Sequence, residues 1–237
     1  MGKNGIGRIA GLTALLGIIF WVTWAAPGRA EVAIAAKAGT LGAGAELTVG
    51  LSPRVNTRLG VNGFDYTDDR REASGIEYDT KAELRTATAL LDWHPGGRGF
   101  RLTGGLVYND TRVKGSSLPP ASGVYNIGGV PVPVNLVGTL DAEADFDPVV
   151  PYVGLGWGNA VSPGKKVGFY VDLGVVFQGK ADVTLIPLIP ADSPINTTPG
   201  ARDALDILLR REEQDLEDDV SDYDLYPVLS FGLSYKF

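Results

Sequence analysis

Residues Tyr223 to Phe237 read Y-D-L-Y-P-V-L-S-F-G-L-S-Y-K-F, and their alternation decides the fold. Odd positions carry Tyr223, Leu225, Pro227, Leu229, Phe231, Leu233, Tyr235 and Phe237. Even positions are mostly small or polar: Asp224, Tyr226, Val228, Ser230, Gly232, Ser234 and Lys236. A period of two sends alternate side chains to opposite faces of a strand, so one face here is apolar from end to end. A strand with lipid on one side and a lumen on the other is built this way.

The pattern recurs upstream. Val167–Phe177 alternates without a break; Val149–Trp157 and Phe100–Tyr108 set an apolar face against Gly, Thr and Arg. Ile76–Trp93 is one long strand with Glu77, Asp79, Lys81, Glu83 and Arg85 on one face of its upper half. Thr57–Tyr66 alternates until the parity slips near Gly63, which predicts a bulge there. Ala43–Leu51 alternates too, and a parity break at Gly39–Gly42 predicts a short first strand and a tight hairpin. Short turns at 52–56, 95–99 and 162–166 take turns with long or polar connections at 67–75, 114–145 and 183–221. Hydrocarbon admits no open sheet edge, and bacterial single-chain barrels have even strand numbers. The expected fold is therefore all-β: a transmembrane antiparallel up-and-down barrel of about eight strands over residues 31–237. Ten is the alternative, if the 124–145 hairpin, with its tip at Tyr125–Val130, joins the wall. Ala201–Val220, with leucines at helical spacing and a run of carboxylates, predicts one short amphipathic acidic helix in the last long connection.

Composition narrows the chemistry. A net charge of −7 argues against nucleic acid as a partner, since phosphate binding needs basic patches. The absence of cysteine excludes disulfides, thiolate metal ligands and a lipid-anchored cysteine. With His94 the sole histidine, neither a metal nor a cofactor is expected. At the start, Lys3 and Arg8 precede an apolar run from Ile9 to Ala26, then small residues suited to cleavage after Ala30 or after Ala35. That is the layout of a signal peptide over 1–30 that directs the chain out of the cytoplasm.

The two faces assign residues to places. A polar lumen is expected to hold a charge network of Glu46, Arg58, Lys81, Glu83, Arg85, Arg101 and Asp172, joined by Tyr170. Trp93, Trp157, Tyr235 and Phe237, near the turns, suit an aromatic girdle at the membrane interface. Short turns on the periplasmic side and long connections outside would place Phe237 at the periplasmic rim. Asp92 and His94, two apart on one strand face, read as a cap to the girdle.

The terminal F-G-L-S-Y-K-F (Phe231–Phe237) resembles the targeting strand of Gram-negative outer-membrane β-barrels. P-Y-V-G-L-G-W-G (Pro151–Gly158) and L-L-D-W-H-P (Leu90–Pro95) look like elements of small barrels of the OmpW/OmpX-like kind. The resemblance implies an outer-membrane location, contact with outer-membrane lipid and lipopolysaccharide, and recognition of Phe231, Leu233, Tyr235 and Phe237 by the barrel assembly machinery. It does not imply one activity, because a fold hosts many.

Three readings of function follow. The first is a non-enzymatic envelope protein with a structural role, its lumen plugged by paired charges. The second is a narrow channel for small solutes, lined by the same charges. The third, a lipid A-modifying enzyme or outer-membrane protease, would rest on His94 as general base, yet that residue sits at a periplasmic turn and catalytic groups of such enzymes lie near the outer leaflet. For the acidic helix, one reading is a lid whose leucines pack on the barrel mouth; the other is a divalent-cation bridge to lipopolysaccharide phosphates.

Overall fold

The computed structural model describes residues 31–73, 76–97, 99–219 and 224–237, with 67–73 and 76–82 as backbone alone. The proposed leader at 1–30 and Tyr223 lie outside the described residues. The chain runs β1 (Val32–Gly39), β2 (Gly42–Ser52), β3 (Val55–Ala73), β4 (Ile76–Trp93) and β5 (Phe100–Asn109), then β6 (Arg112–Ser117), β7 (Val124–Ile127) and β8 (Val130–Pro133). A one-turn helix α1 (Val134–Val137), β9 (Thr139–Asp145), β10 (Val149–Trp157), β11 (Val167–Phe177), β12 (Asp182–Leu188), helix α2 (Ala201–Asp219) and β13 (Leu225–Lys236) complete it.

Eight of these strands close an antiparallel barrel in the order β1-β2-β3-β4-β5-β10-β11-β13, with β13 returning to β1. The closing seam pairs Ala33 with Lys236 and Gly39 with Ser230, and the Phe237 amide donates to the Val32 carbonyl at 3.1 Å. So the alternating terminal stretch is the closing strand. The hairpin between β1 and β2 has a two-residue tip, Thr40–Leu41. Gly42 follows it at φ +98°, where a side chain would be strained and a Cβ would collide with the Gly63 carbonyl.

Alternation places Ile34, Leu47, Val61, Leu91, Val153, Phe169, Leu173 and Leu233 on the outer wall, all exposed. Exposed apolar side chains around a closed sheet are what a lipid-facing wall requires and an aqueous one penalises. Trp93, Trp157, Tyr235 and Phe237 also point outward, at one rim of the barrel. There Phe100 packs edge-on against Trp157 with centroids 5.1 Å apart, and Tyr235 against Phe237 at 5.6 Å.

Beyond the opposite rim the fold departs from a plain barrel. β4 is long enough to have two neighbours in succession. Its lower part, Thr86–Trp93, pairs with β5; its upper part, Tyr78–Glu83, pairs with β6. β9 then pairs with β6, and β12 with β9, so with the paired upper parts of β3 and β4 a five-stranded extension rises from the wall. Hairpin β7–β8, α1, a 3-10 turn at Pro194–Asn196 and α2 pack with this extension around a second core that includes Tyr125, Ile127, Leu140, Leu185, Leu205 and Leu209. Residues 114–145 are thus strand, hairpin and helix rather than an open connection. The hairpin β7–β8 forms its own two-stranded sheet outside the wall, which fixes the barrel at eight strands instead of ten.

The bulge expected near Gly63 is absent. β3 pairs with β4 without slip from Val55 to Asp68, and the register shifts between Asp68 and Arg71. Above Gly63, β3 has lost β2, whose pairing ends at Ala43, so Phe64, Asp65 and Tyr66 are all exposed whichever way they point. The parity break marks the end of the two-sided wall.

Candidate functional site: a filled lumen

Three layers of side chains fill the barrel. At the rim bearing Trp93, Trp157, Tyr235 and Phe237, the loop after β10 tucks Ala160 and Val161 inward against Ala33. The Asn56 amide donates to Asn159 Oδ1 at 3.0 Å, which also accepts from the Val161 backbone, so the loop is tied to the wall.

The middle layer is ionic. Arg58 from β3 lies at its centre, with Nε 2.7 Å from Asp92, Nη1 2.9 Å from Asp172 and 3.2 Å from Glu46. Arg101 Nη2 donates to Asp172 Oδ1 at 2.7 Å, and its other terminal nitrogen to the Gly158 carbonyl. Lys37 pairs with Glu46 at 3.0 Å, Tyr170 Oη donates to Glu46 Oε1 at 2.9 Å, and Thr103 Oγ1 donates to Asp92 Oδ1 at 2.7 Å. Three cations meet three carboxylates, all nearly out of reach of solvent at the side chain. Burying ions costs several kcal/mol each unless partners offset it, about as much as a good pair returns, so this layer must be balanced and well bonded to persist. Both guanidinium groups also face the Tyr170 ring, Arg58 at 5.8 Å and Arg101 at 5.1 Å from its centroid.

Glycines make room for these groups. A Cβ on Gly232 would overlap the Tyr170 ring, and one on Gly174 or Gly154 the Tyr152 hydroxyl. The abundance of glycine on inward positions is thus the counterpart of large side chains laid flat against the wall.

The third layer is apolar: Leu90, Val107, Val150, Tyr152, Val176 and Val228, with Leu41 and Tyr226 beside them. Between this layer and the ionic one a void lined by residues including Lys37, Asn62, Thr88 and Ser230 measures about 20 Å³, room for about one water.

The structure brings Glu46, Arg58, Arg101 and Asp172 into this one cluster, with Tyr170. It does not bring Glu83 or Arg85 there. Both have the parity of Leu91 and Trp93, which point outward, and both are exposed. Arg85 pairs with Asp65 at 2.6 Å on the surface, and Glu83 stands opposite Arg112 in the extension. The upper half of β4 has left the apolar band, so its charges need no lumen. Lys81 lies on that same upper half, across from Lys114; its side chain is outside the described residues. Two members of the cluster were missed: Lys37, hidden in the β1 stretch, and Asp92, read as a girdle cap. Asp92 has the parity of Thr86, Thr88 and Leu90, all inward, and that parity is the signal that finds it.

His94 sits just beyond β4 and is buried, its backbone amide donating to the Arg54 carbonyl at 2.8 Å. Burial holds its pKa below the ordinary histidine value, and Arg101 pushes the same way, while Asp92 opposes them. The acidic helix is engaged too. Leu205, Leu209 and Leu216 are buried in the second core, not on the barrel mouth. Glu212 accepts from the Gly128 amide at 2.8 Å, Glu213 from Leu185 at 2.8 Å and Glu217 from Val183 at 3.2 Å. Among the described residues no group of acidic or histidine side chains is placed to hold a metal ion.

No protein-family model and no curated protein matches the chain. Its fold is similar to solved outer-membrane β-barrels. CarO2 of Acinetobacter baumannii matches with 20% identity over 89% of this chain and 100% of that one, at a TM-score of 0.52. CarO of the same organism matches with 19% identity over 87% and 98%, again at 0.52. At such identity the likeness is one of fold: a closed eight-stranded antiparallel barrel with a helix near the carboxyl terminus.

Proposed function

We propose that the protein is an outer-membrane β-barrel with a structural role in the envelope, its lumen shut by its own side chains. The observation that carries this is the filled interior: a tucked loop, a balanced ionic layer and an apolar layer leave a void of about 20 Å³. An eight-stranded wall encloses just enough space for side chains. The likeness in fold to CarO2 and CarO and the apolar outer wall support the location, and the motifs Leu90–Pro95 and Pro151–Gly158 support kinship with OmpW/OmpX-like barrels. The orientation follows from turn length: the girdle rim is periplasmic and the extension with α2 lies outside. Outer-membrane lipid and lipopolysaccharide then surround the wall, and Phe231, Leu233, Tyr235 and Phe237 of the closing strand address the assembly machinery. No catalytic role is assigned: the ring of His94 is buried behind the girdle rim.

The narrow-channel reading draws on the same charged layer, and conductance separates the two. Recovery in outer-membrane fractions, with gel mobility that shifts on heating, tests the location; recovery with the soluble proteins and no heat shift would refute it.

The signal peptide belongs to this proposal. Cleavage after Ala30 leaves Glu31, whose carboxylate meets Lys236 at 2.8 Å and whose carbonyl accepts from the Gly50 amide at 2.9 Å. Cleavage after Ala35 would remove Val32–Ala35, half of the strand that closes the barrel, so the site after Ala30 is the one proposed.

A further inference from the structure

β12 is the last strand of the extension. It pairs with β9 on one side, and no strand pairs with its other edge among the described residues. In an antiparallel strand, alternate residues turn their N–H and C=O groups to opposite edges. The amides of Val183 and Leu185 point to the free edge, since they donate to Glu217 and Glu213 rather than to β9. The next residue of that set is Pro187, which has no N–H to offer. All three positions of the free edge are therefore closed to an incoming strand: two by carboxylates one helical turn apart on α2, one by proline.

We infer that α2 is an edge guard: its Glu213 and Glu217 stand in for a neighbouring strand and keep β12 from pairing with β12 of a second copy. An unpaired edge is a template for another chain, and natural sheets blunt such edges with charge and proline. A second copy is the partner because two identical antiparallel strands are self-complementary about a two-fold axis. The exposed Ile186 and Leu188 on the outer face of β12 would gain apolar neighbours from the same pairing. The guard accounts for part of the acidic run by geometry: a carboxylate is a strong acceptor for backbone N–H, and the i, i+4 spacing on a helix brings two to alternate residues of a strand.

The test uses the full chain, refolded in detergent, with Glu213→Ala/Glu217→Ala. Amide exchange at Val183 and Leu185 is expected to accelerate. Thr184→Cys, the only thiol in a chain without cysteine, is expected to cross-link between copies in that background and not in the parent. Glu213→Gln/Glu217→Gln retains side-chain oxygens that accept, and is expected to behave as the parent does. The single alanine variants, each freeing one amide, carry the same readouts if the double variant does not refold. Unchanged exchange, or freed amides without cross-linking between copies, overturns the inference.

Discussion

Arg58 and Asp172 lie 114 residues apart in sequence and meet across the lumen, with Nη1 to Oδ2 at 2.9 Å. Their strands, β3 and β11, are separated by β2, β1 and β13 in the wall, so they face each other across an eight-stranded barrel. The pair joins opposite walls and fills the space between them.

Arg58→Met should therefore destabilise strongly. It leaves Glu46, Asp92 and Asp172 facing only Lys37 and Arg101, and breaking a buried pair from one side costs about 3–5 kcal/mol. Arg58→Met with Asp172→Leu restores the balance and should recover much of the loss. Urea unfolding in lipid vesicles, followed by tryptophan fluorescence, measures both. Equal losses in the single and double variants would show that charge balance does not hold the layer.

Gly232→Ala should cost about 1–3 kcal/mol, the usual range for overpacking, because the added methyl overlaps the Tyr170 ring. Combined with Tyr170→Leu, which vacates the space, the loss should be smaller than the sum of the two single effects. Additive losses in the same assay would contradict the close approach.

Stability should fall in mild acid because of His94. Its folded pKa is depressed by burial, so the unfolded chain binds the proton more readily. The contribution is complete above the ordinary histidine pKa of about 6.5 and is lost as pH drops from there toward the folded value. His94→Gln should flatten the profile between about pH 7.5 and 5.5. A profile unchanged by the substitution would show that another group sets it.

The mature protein should begin at Glu31. Mass spectrometry of protein purified from membranes reads this directly, and a start at Ala36 would remove inward Ala33 and Ala35 from the seam, contrary to the proposed processing.

The wall was legible because lipid on one face and side chains on the other write a period of two over nine to twelve residues, as in β10, β11 and β13. Turn lengths marked where one strand ends and the next begins; the strand order beyond neighbours came only with the pairing of β13 to β1. The lumen was legible where parity was followed, at Glu46, Arg58, Arg101 and Asp172. It was misread where charge was allowed to override parity, at Glu83 and Arg85, and where a turn drew attention from it, at Asp92. The extension was not legible. β6, β9 and β12 are short, β6 is seated on the far end of β4 and carries β9 and then β12, and nothing local in Arg112–Ser117 or Thr139–Asp145 announces that distant edge. The acidic run of α2 read as a solvated face because its carboxylates find backbone amides of β12 and the β7–β8 turn, contacts that only the tertiary fold creates.

Planar-bilayer recording of the purified protein tests directly whether the barrel is shut. The filled lumen predicts a silent bilayer with no steady openings, and a channel at most when the ionic layer is removed, as in Arg58→Ala/Arg101→Ala. Steady, ohmic openings of the parent protein would contradict it.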